Sequence, residues 1–287
     1  MTHYMGLVRK PVEIVQSNGE SSAIFILLIC NSSVAKKSYN GWMKSMLLPT
    51  YLLNHIQDAE ALLPQIHSGS DAENLHQYRV ALRRARSVIK VYLNESRDFE
   101  EALKFLLKST NELREIDVLV MGIDAVRYPQ LFSDLAPYRN ALYQKQWGSE
   151  TVQTHQNTLH RLIAELDTLQ YVLSDKTLVK IALKQYEEAI ALKKELSRKS
   201  SAKKIHKVRI RCKLARYALE FIEESSLKEV GKKIKKCKKI LNHFGAIQDT
   251  ANQLALLKDF CKSHASIECR ALYKERKKVF EKLKESL

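Results

Sequence analysis

Glycine and proline are scarce, at 8 and 5 in 287 residues. A chain so short of turn formers does not build the many tight reversals of a sandwich or barrel. Cysteine is sparse too: Cys30, Cys212, Cys237, Cys261 and Cys269 include no C-x-x-C pair and have no histidine at zinc-finger spacing. Neither a metal centre nor a disulfide framework is therefore expected, and a reducing compartment fits. Long apolar runs are missing as well. The strongest, residues 23–30, spans eight residues, against the roughly 20 that cross a bilayer as a helix. No small-residue cleavage site follows it, so the expected location is cytoplasmic, with no membrane partner.

What is abundant is Leu, Ala, Lys and Glu, which favour helix, and the fold class expected is all-α. Lys and Arg total 48 against 32 Asp and Glu, a formal charge of +16. Such a surface attracts polyanions. The excess is concentrated: residues 198–239 hold 16 Lys or Arg and only 4 Glu. Residues 1–42, with Pro11, Asn18-Gly19 and a short β-branched run, show no sustained helical period and are expected to be a loosely ordered N-terminal appendage. Beyond them, apolar residues at three- and four-residue spacing, cut by turn signals, predict helices over 43–67, 71–94, 98–111, 113–127, 133–147, 151–173, 176–198, 202–224, 227–243, 246–263 and 266–285.

The sequence repeats internally. His76-Gln-Tyr-Arg-Val-Ala-Leu-Arg-Arg-Ala-Arg86 aligns without gaps on His206-Lys-Val-Arg-Ile-Arg-Cys-Lys-Leu-Ala-Arg216, at an offset of 130 residues. Arg79 pairs with Arg209, Arg83 with Lys213 and Arg86 with Arg216. A weaker match links Leu113-Arg-Glu-Ile-Asp117 to Phe244-Gly-Ala-Ile-Gln-Asp249. A duplicated helical unit explains both, with repeats over 43–165 and 166–287.

At about 100° per residue, His76, Arg79, Arg83, Arg86 and Lys90 share an arc of roughly 80°. Leu75, Tyr78, Leu82, Ala85, Ile89 and Tyr92 fall opposite, as do Ile205, Val208, Cys212, Ala215, Leu219 and Ile222 in the second copy. Each helix is expected to dock by its apolar face. A charged face opposite an apolar one is also what any solvated amphipathic helix shows. Solvated faces, however, normally mix signs, and neither box holds an acid between its His and its last Arg. Adjacent like charges repel by a few tenths of a kcal/mol per helical pair, a cost that a bound anion removes. Arginine's planar fork suits phosphate oxygens, and lysine adds point charge. Each histidine is either an anion donor, neutral or protonated, or a helix-starting hydrogen-bond partner. In the run 232–239, Lys235 and Lys239 extend the basic surface or form a solvated face.

These boxes resemble the CHAD family, the conserved histidine α-helical domain, over roughly residues 43–287. The family's first pattern, His-x-x-Arg-Val-x-x-Arg-Arg-x-Arg, is met by His76, Arg79, Val80, Arg83, Arg84 and Arg86. Its second is met by His206, Arg209, Lys213, Arg216, Tyr217 and Glu220. Where the family has Arg-Asp-x-Asp-Val and Gly-x-x-Asn-Asp, this chain has Arg114-Glu-Ile-Asp117-Val118 and Gly245-Ala-Ile-Gln248-Asp249. The resemblance implies two antiparallel four-helix bundles related by a pseudo-twofold, with extra connecting helices. It also implies a basic channel between them that holds inorganic polyphosphate, and association with polyphosphate granules and the enzymes that metabolise the polymer. The residues expected to bind it are His76, Arg79, Arg83, Arg84, Arg86, Lys90, His206, Arg209, Lys213, Arg216, Tyr217, Lys235 and Lys239.

The alternating Glu-x-Glu-x-Lys of the triphosphate-tunnel domain that precedes this module in many relatives does not occur in residues 1–42. The stripes also lack the clustered carboxylates that metal-assisted phosphoryl transfer needs. A binding module without cofactor, metal or catalytic residue is therefore expected. The +16 charge also permits nucleic-acid binding, but interleaved aromatics for base stacking are missing apart from Tyr217. A metal-assisted polyphosphatase is the third alternative.

Overall fold

A computed structural model describes residues 46–67, 71–93, 97–167, 173–197, 200–264 and 266–285. The expected appendage over 1–42 lies outside the described residues. Ten α-helices occur among the described residues, and no strand does: α1 Leu47–Leu62, α2 Ala72–Tyr92, α3 Arg97–Ser109, α4 Asn111–Met121, α5 Pro129–Gln146, α6 Ser149–Asp167, α7 Asp175–Lys194, α8 Ala202–Glu224, α9 Gly231–Ser263 and α10 Ile267–Glu285. The all-α expectation holds.

Local chemistry starts the helices that matter most. Asp71 accepts from the Glu73 amide ahead of α2 at 2.9 Å, and Ser201 from the Lys204 amide ahead of α8 at 3.3 Å. Such caps each contribute about 1 kcal/mol. Neither His76 nor His206 caps its helix. The apolar faces fall largely as the helical period predicts: Leu75, Tyr78, Leu82, Ala85, Ile89 and Tyr92 are buried, and so are Val208, Cys212, Ala215, Leu219 and Ile222, while Ile205 in the first turn of its helix is half-buried. Each large buried side chain among them contributes about 1.5–3 kcal/mol by leaving water.

α2 packs on α1, α3 and α8, while α8 packs on α7, α9 and α2. The two box-bearing helices therefore touch at the centre. Edge contacts of Phe221 with Tyr51 (4.9 Å) and Tyr92 (5.3 Å) stitch α1, α2 and α8 together behind the basic faces. α6 packs against α1 and α3. It is tied there by His155, whose ring lies 2.7 Å from the Tyr78 hydroxyl and 2.8 Å from Ser109 Oγ. Burial pushes the pKa of this histidine down to about 4, so it is neutral at physiological pH.

Three expectations are corrected. The two helices expected over 227–243 and 246–263 are one helix of 33 residues, α9. Gly245 costs a helix only about 1 kcal/mol relative to alanine, and the burial of Phe244, Leu241 and Thr250 around it offsets that. α4 ends at Met121, not near 127. Finally, Cys261 and Cys269 form a disulfide across the α9–α10 turn, with Cα atoms 5.9 Å apart. The turn folds the end of one helix back on the start of the next, a proximity that no linear spacing rule anticipates.

Candidate functional site

The basic faces of α2 and α8 converge on a cavity of about 780 Å³. Its wall includes His76, Arg79 and Arg83 from α2 and His206, Arg209, Lys213, Arg216 and Tyr217 from α8. α4 adds Arg114 and Glu115; α9 adds Asn242, Gly245, Gln248, Asp249 and Asn252. An adjoining cavity of about 490 Å³ shares Arg79, Arg83, Asn111, His206, Arg209, Lys213 and Tyr217, and continues to Arg86, Lys90 and Lys108. Together they form one groove, with Arg79, Arg83, Arg209 and Lys213 in its middle.

The two equivalent arginines are held differently. Arg79 is 5% exposed, and its Nη1 donates to the Leu107 carbonyl at 2.7 Å and to Thr110 Oγ1. Its Nη2 donates to Asn111 Oδ1 at 2.7 Å. These acceptors exist because the chain breaks at Thr110 between α3 and α4, which frees the Leu107 carbonyl from a helical partner. All of them are neutral, so both Nη groups have acceptors while the charge is not cancelled, and the Nε is buried without a partner, as it is in Arg209. In the second half α9 runs unbroken and offers Arg209 no such carbonyl. Arg209 has no hydrogen-bond or ion-pair partner among the described residues, and its Nε is buried unpaired.

Burial, and after it the neighbouring like charges, lower the pKa of several groups in the groove. Burial, followed by Arg209 and Arg83, pushes the Lys213 ammonium down to about 7. His76 is lowered by burial and by Arg114, and Arg83 by burial. An anion placed among these groups reverses each charge–charge effect.

Not every expected residue reaches the groove. Arg84 lines neither cavity; it faces Glu224 at 3.4 Å and Glu220 at 4.0 Å. It sits about 80° from His76 around the helix, outside the stripe. Arg86 and Lys90 line the second cavity only, and both pair with Glu100, at 2.9 and 3.2 Å. Arg216 reaches the first cavity, but its Nε lies 3.2 Å from Glu220 and its guanidinium stacks over Tyr217 at 4.4 Å. Lys235 and Lys239 are exposed on α9 and line neither cavity. α9 turns toward the groove only from Leu241 onward.

The site also contains residues that the box pattern alone does not reveal. The stripes carry no acid, but the groove does: Glu115 and Asp249 enter from α4 and α9. They belong to the two weaker motifs, which were the available signal. Asp117 of the same motif does otherwise. It is fully buried, accepting from Arg139 Nε at 2.7 Å and from the Tyr143 hydroxyl at 2.8 Å, and it holds α4 to α5. Among the described residues no group of three His, Cys, Asp or Glu side chains is arranged to hold a metal ion, and no helix is long and apolar enough to cross a membrane.

Fold and site together define a class: an all-α domain in which two similar basic helices face one groove. The CHAD domain family matches residues 50–258, and the chain belongs to that family. A crystal structure of the CHAD domain from the plant Ricinus communis is similar in fold, with a TM-score of 0.61 at 20% sequence identity. The match covers 85% of this chain and 92% of that one. No curated protein matches the sequence.

Proposed function

We propose that this protein binds inorganic polyphosphate in the groove between α2 and α8. The observation that carries the reading is the convergence of Arg79, Arg83, Arg209 and Lys213, two from each box, on space shared by both cavities. Four cations face two carboxylates, Glu115 and Asp249, and the positive charge left over repels until an extended oxyanion neutralises it. The CHAD resemblance supplies the identity of that anion. With it go a basic channel between two antiparallel bundles related by a pseudo-twofold, a cytoplasmic location at polyphosphate granules, and enzymes of polyphosphate metabolism as partners. The chain acts in this reading as a binding module, not as an enzyme.

Titration at fixed salt with orthophosphate, tripolyphosphate and chains of tens of phosphates tests the reading, since all such affinities depend on salt. Affinity should rise steeply with chain length. Equal affinity for orthophosphate and long chains refutes it. Charge reversal at Arg83 or Arg209 should weaken binding far more than at exposed Lys277 or Lys278. Displacement of long polyphosphate by RNA at equal phosphate concentration would instead favour nucleic acid. Release of phosphate with Mg²⁺ or Mn²⁺ would establish a polyphosphatase.

A further inference from the structure

The groove is electrically one-sided. Its middle carries Arg79, Arg83, Arg209 and Lys213 in both cavities. The mouth between α3 and α8 adds Arg86, Lys90 and Lys108; no carboxylate lines it, and Glu100 behind it pairs with Arg86 and Lys90, leaving a net positive charge. Beyond it, sharing His206 and Ile210, lies a hollow of about 480 Å³ on the outer face of α8, bordered by Lys203, Lys204, Lys207 and Arg211. Positive charge therefore continues outward on this side.

The opposite mouth, between α4 and α9, is different. There Arg114 and Arg216 are matched by Glu115 and Asp249, and the remaining polar wall is carboxamide: Asn242, Gln248, Asn252 and Gln253. Glu115 is fixed by a 3.1 Å hydrogen bond from Asn252 Nδ2. Asp249 makes no hydrogen bond or ion pair among the described residues, and it faces Arg83 and Lys213 electrostatically. A phosphate leaving the cationic middle in this direction meets carboxylates that repel it, whereas in the other direction Glu100 and Glu188 are outnumbered by Arg86, Lys90, Lys108, Lys203, Lys204, Lys207 and Arg211.

Resting on the polyphosphate reading, we propose that the groove takes the chain end-on. The polymer lies along the outer face of α8, enters by the α3–α8 mouth, and its terminal phosphate stops at Glu115 and Asp249. These two residues set specificity for a free chain end and exclude a chain that would have to thread through.

The test uses the full chain and linear polyphosphates of tens of units, either with free ends or with both ends blocked by a bulky neutral amide. The wild-type protein should bind free-ended chains at least tenfold tighter than blocked ones. The Glu115→Gln, Asp249→Asn double variant should lose that preference, and its salt slope with free-ended long chains should steepen by about 1–2 as further phosphates are accommodated. Asp249→Asn alone changes an exposed side chain, so folding is safeguarded, and it should lose part of the preference. Equal binding of free and blocked chains by the wild type overturns end-on capture while leaving polyphosphate binding intact. A preference that survives in the double variant overturns the assignment to the carboxylates. Absence of any polyphosphate binding overturns both proposals.

Discussion

Replacing Arg79 and Arg209 in turn by methionine should separate stability from binding. Arg79→Met removes donors to the Leu107 carbonyl, Thr110 Oγ1 and Asn111 Oδ1. Hydrogen bonds from a charged donor contribute about 1.5–3 kcal/mol each. Asn111 is exposed and regains water, and Thr110 keeps its own bonds to the Leu106 and Leu107 carbonyls. Removing a buried charge next to Arg83 and Arg114 also returns some energy. The net loss is about 2–4 kcal/mol, which for a domain of this size lowers Tm by roughly 4–16 °C. Arg209→Met breaks no hydrogen bond and relieves repulsion on Lys213 and Arg83. Its stability should stay within about 0.5 kcal/mol of the parent or rise, while affinity for long polyphosphate falls about tenfold or more, some 1.4 kcal/mol. Thermal unfolding and titration at one salt concentration report both effects. Equal destabilisation by the two substitutions would refute the contrast drawn from the broken and unbroken helices.

Asp117→Ala leaves Arg139 and Tyr143 without their shared buried acceptor and should destabilise the fold by about 3–5 kcal/mol, with anion affinity per folded molecule unchanged; urea unfolding with titration checks this. Lys213 has a folded pKa of about 7 against the usual 10.5, so the unfolded chain holds the extra proton between these values and the free protein gains stability as pH rises through that window. Anion binding should reverse the depression, taking up protons above pH 7. Calorimetry in buffers of different ionisation enthalpy should detect this uptake, and Lys213→Met should abolish most of it. His155, lowered to about 4 from 6.5, contributes stability that is complete above pH 6.5 and lost as pH falls toward 4; denaturation midpoints across that range should show the loss, and His155→Gln should flatten it.

The helical period was enough to assign the buried faces of α2 and α8, because those positions depend only on 100° steps within one helix. The duplicated box alone did not bring His76 and His206 together; the family resemblance implied a shared channel, and both residues line one cavity. What stayed hidden depends on residues brought together from afar. Glu115 and Asp249 are 134 positions apart and become neighbours of the boxes only because α4 packs on both α2 and α9. Arg84 matched the family pattern but its angular position sent it to Glu220 and Glu224. Asp117 read as part of an acidic motif, and only the Arg139 and Tyr143 contacts, more than twenty residues away, show it as a buried clasp. Gly245 suggested a helix end, yet isolated glycine is a weak breaker when the flanking residues are buried.

The break at Thr110 means the two copies of the box are no longer interchangeable. At position 209 a lysine could still deliver positive charge to the groove. At position 79 it could not, because a single ammonium cannot present the planar set of donors that the three acceptors require. A lysine is thus compatible with the architecture at 209 and not at 79. Arg79 is a keystone between α2 and the α3–α4 break, and Arg209 is held by no hydrogen bond among the described residues and is left to face whatever the groove holds.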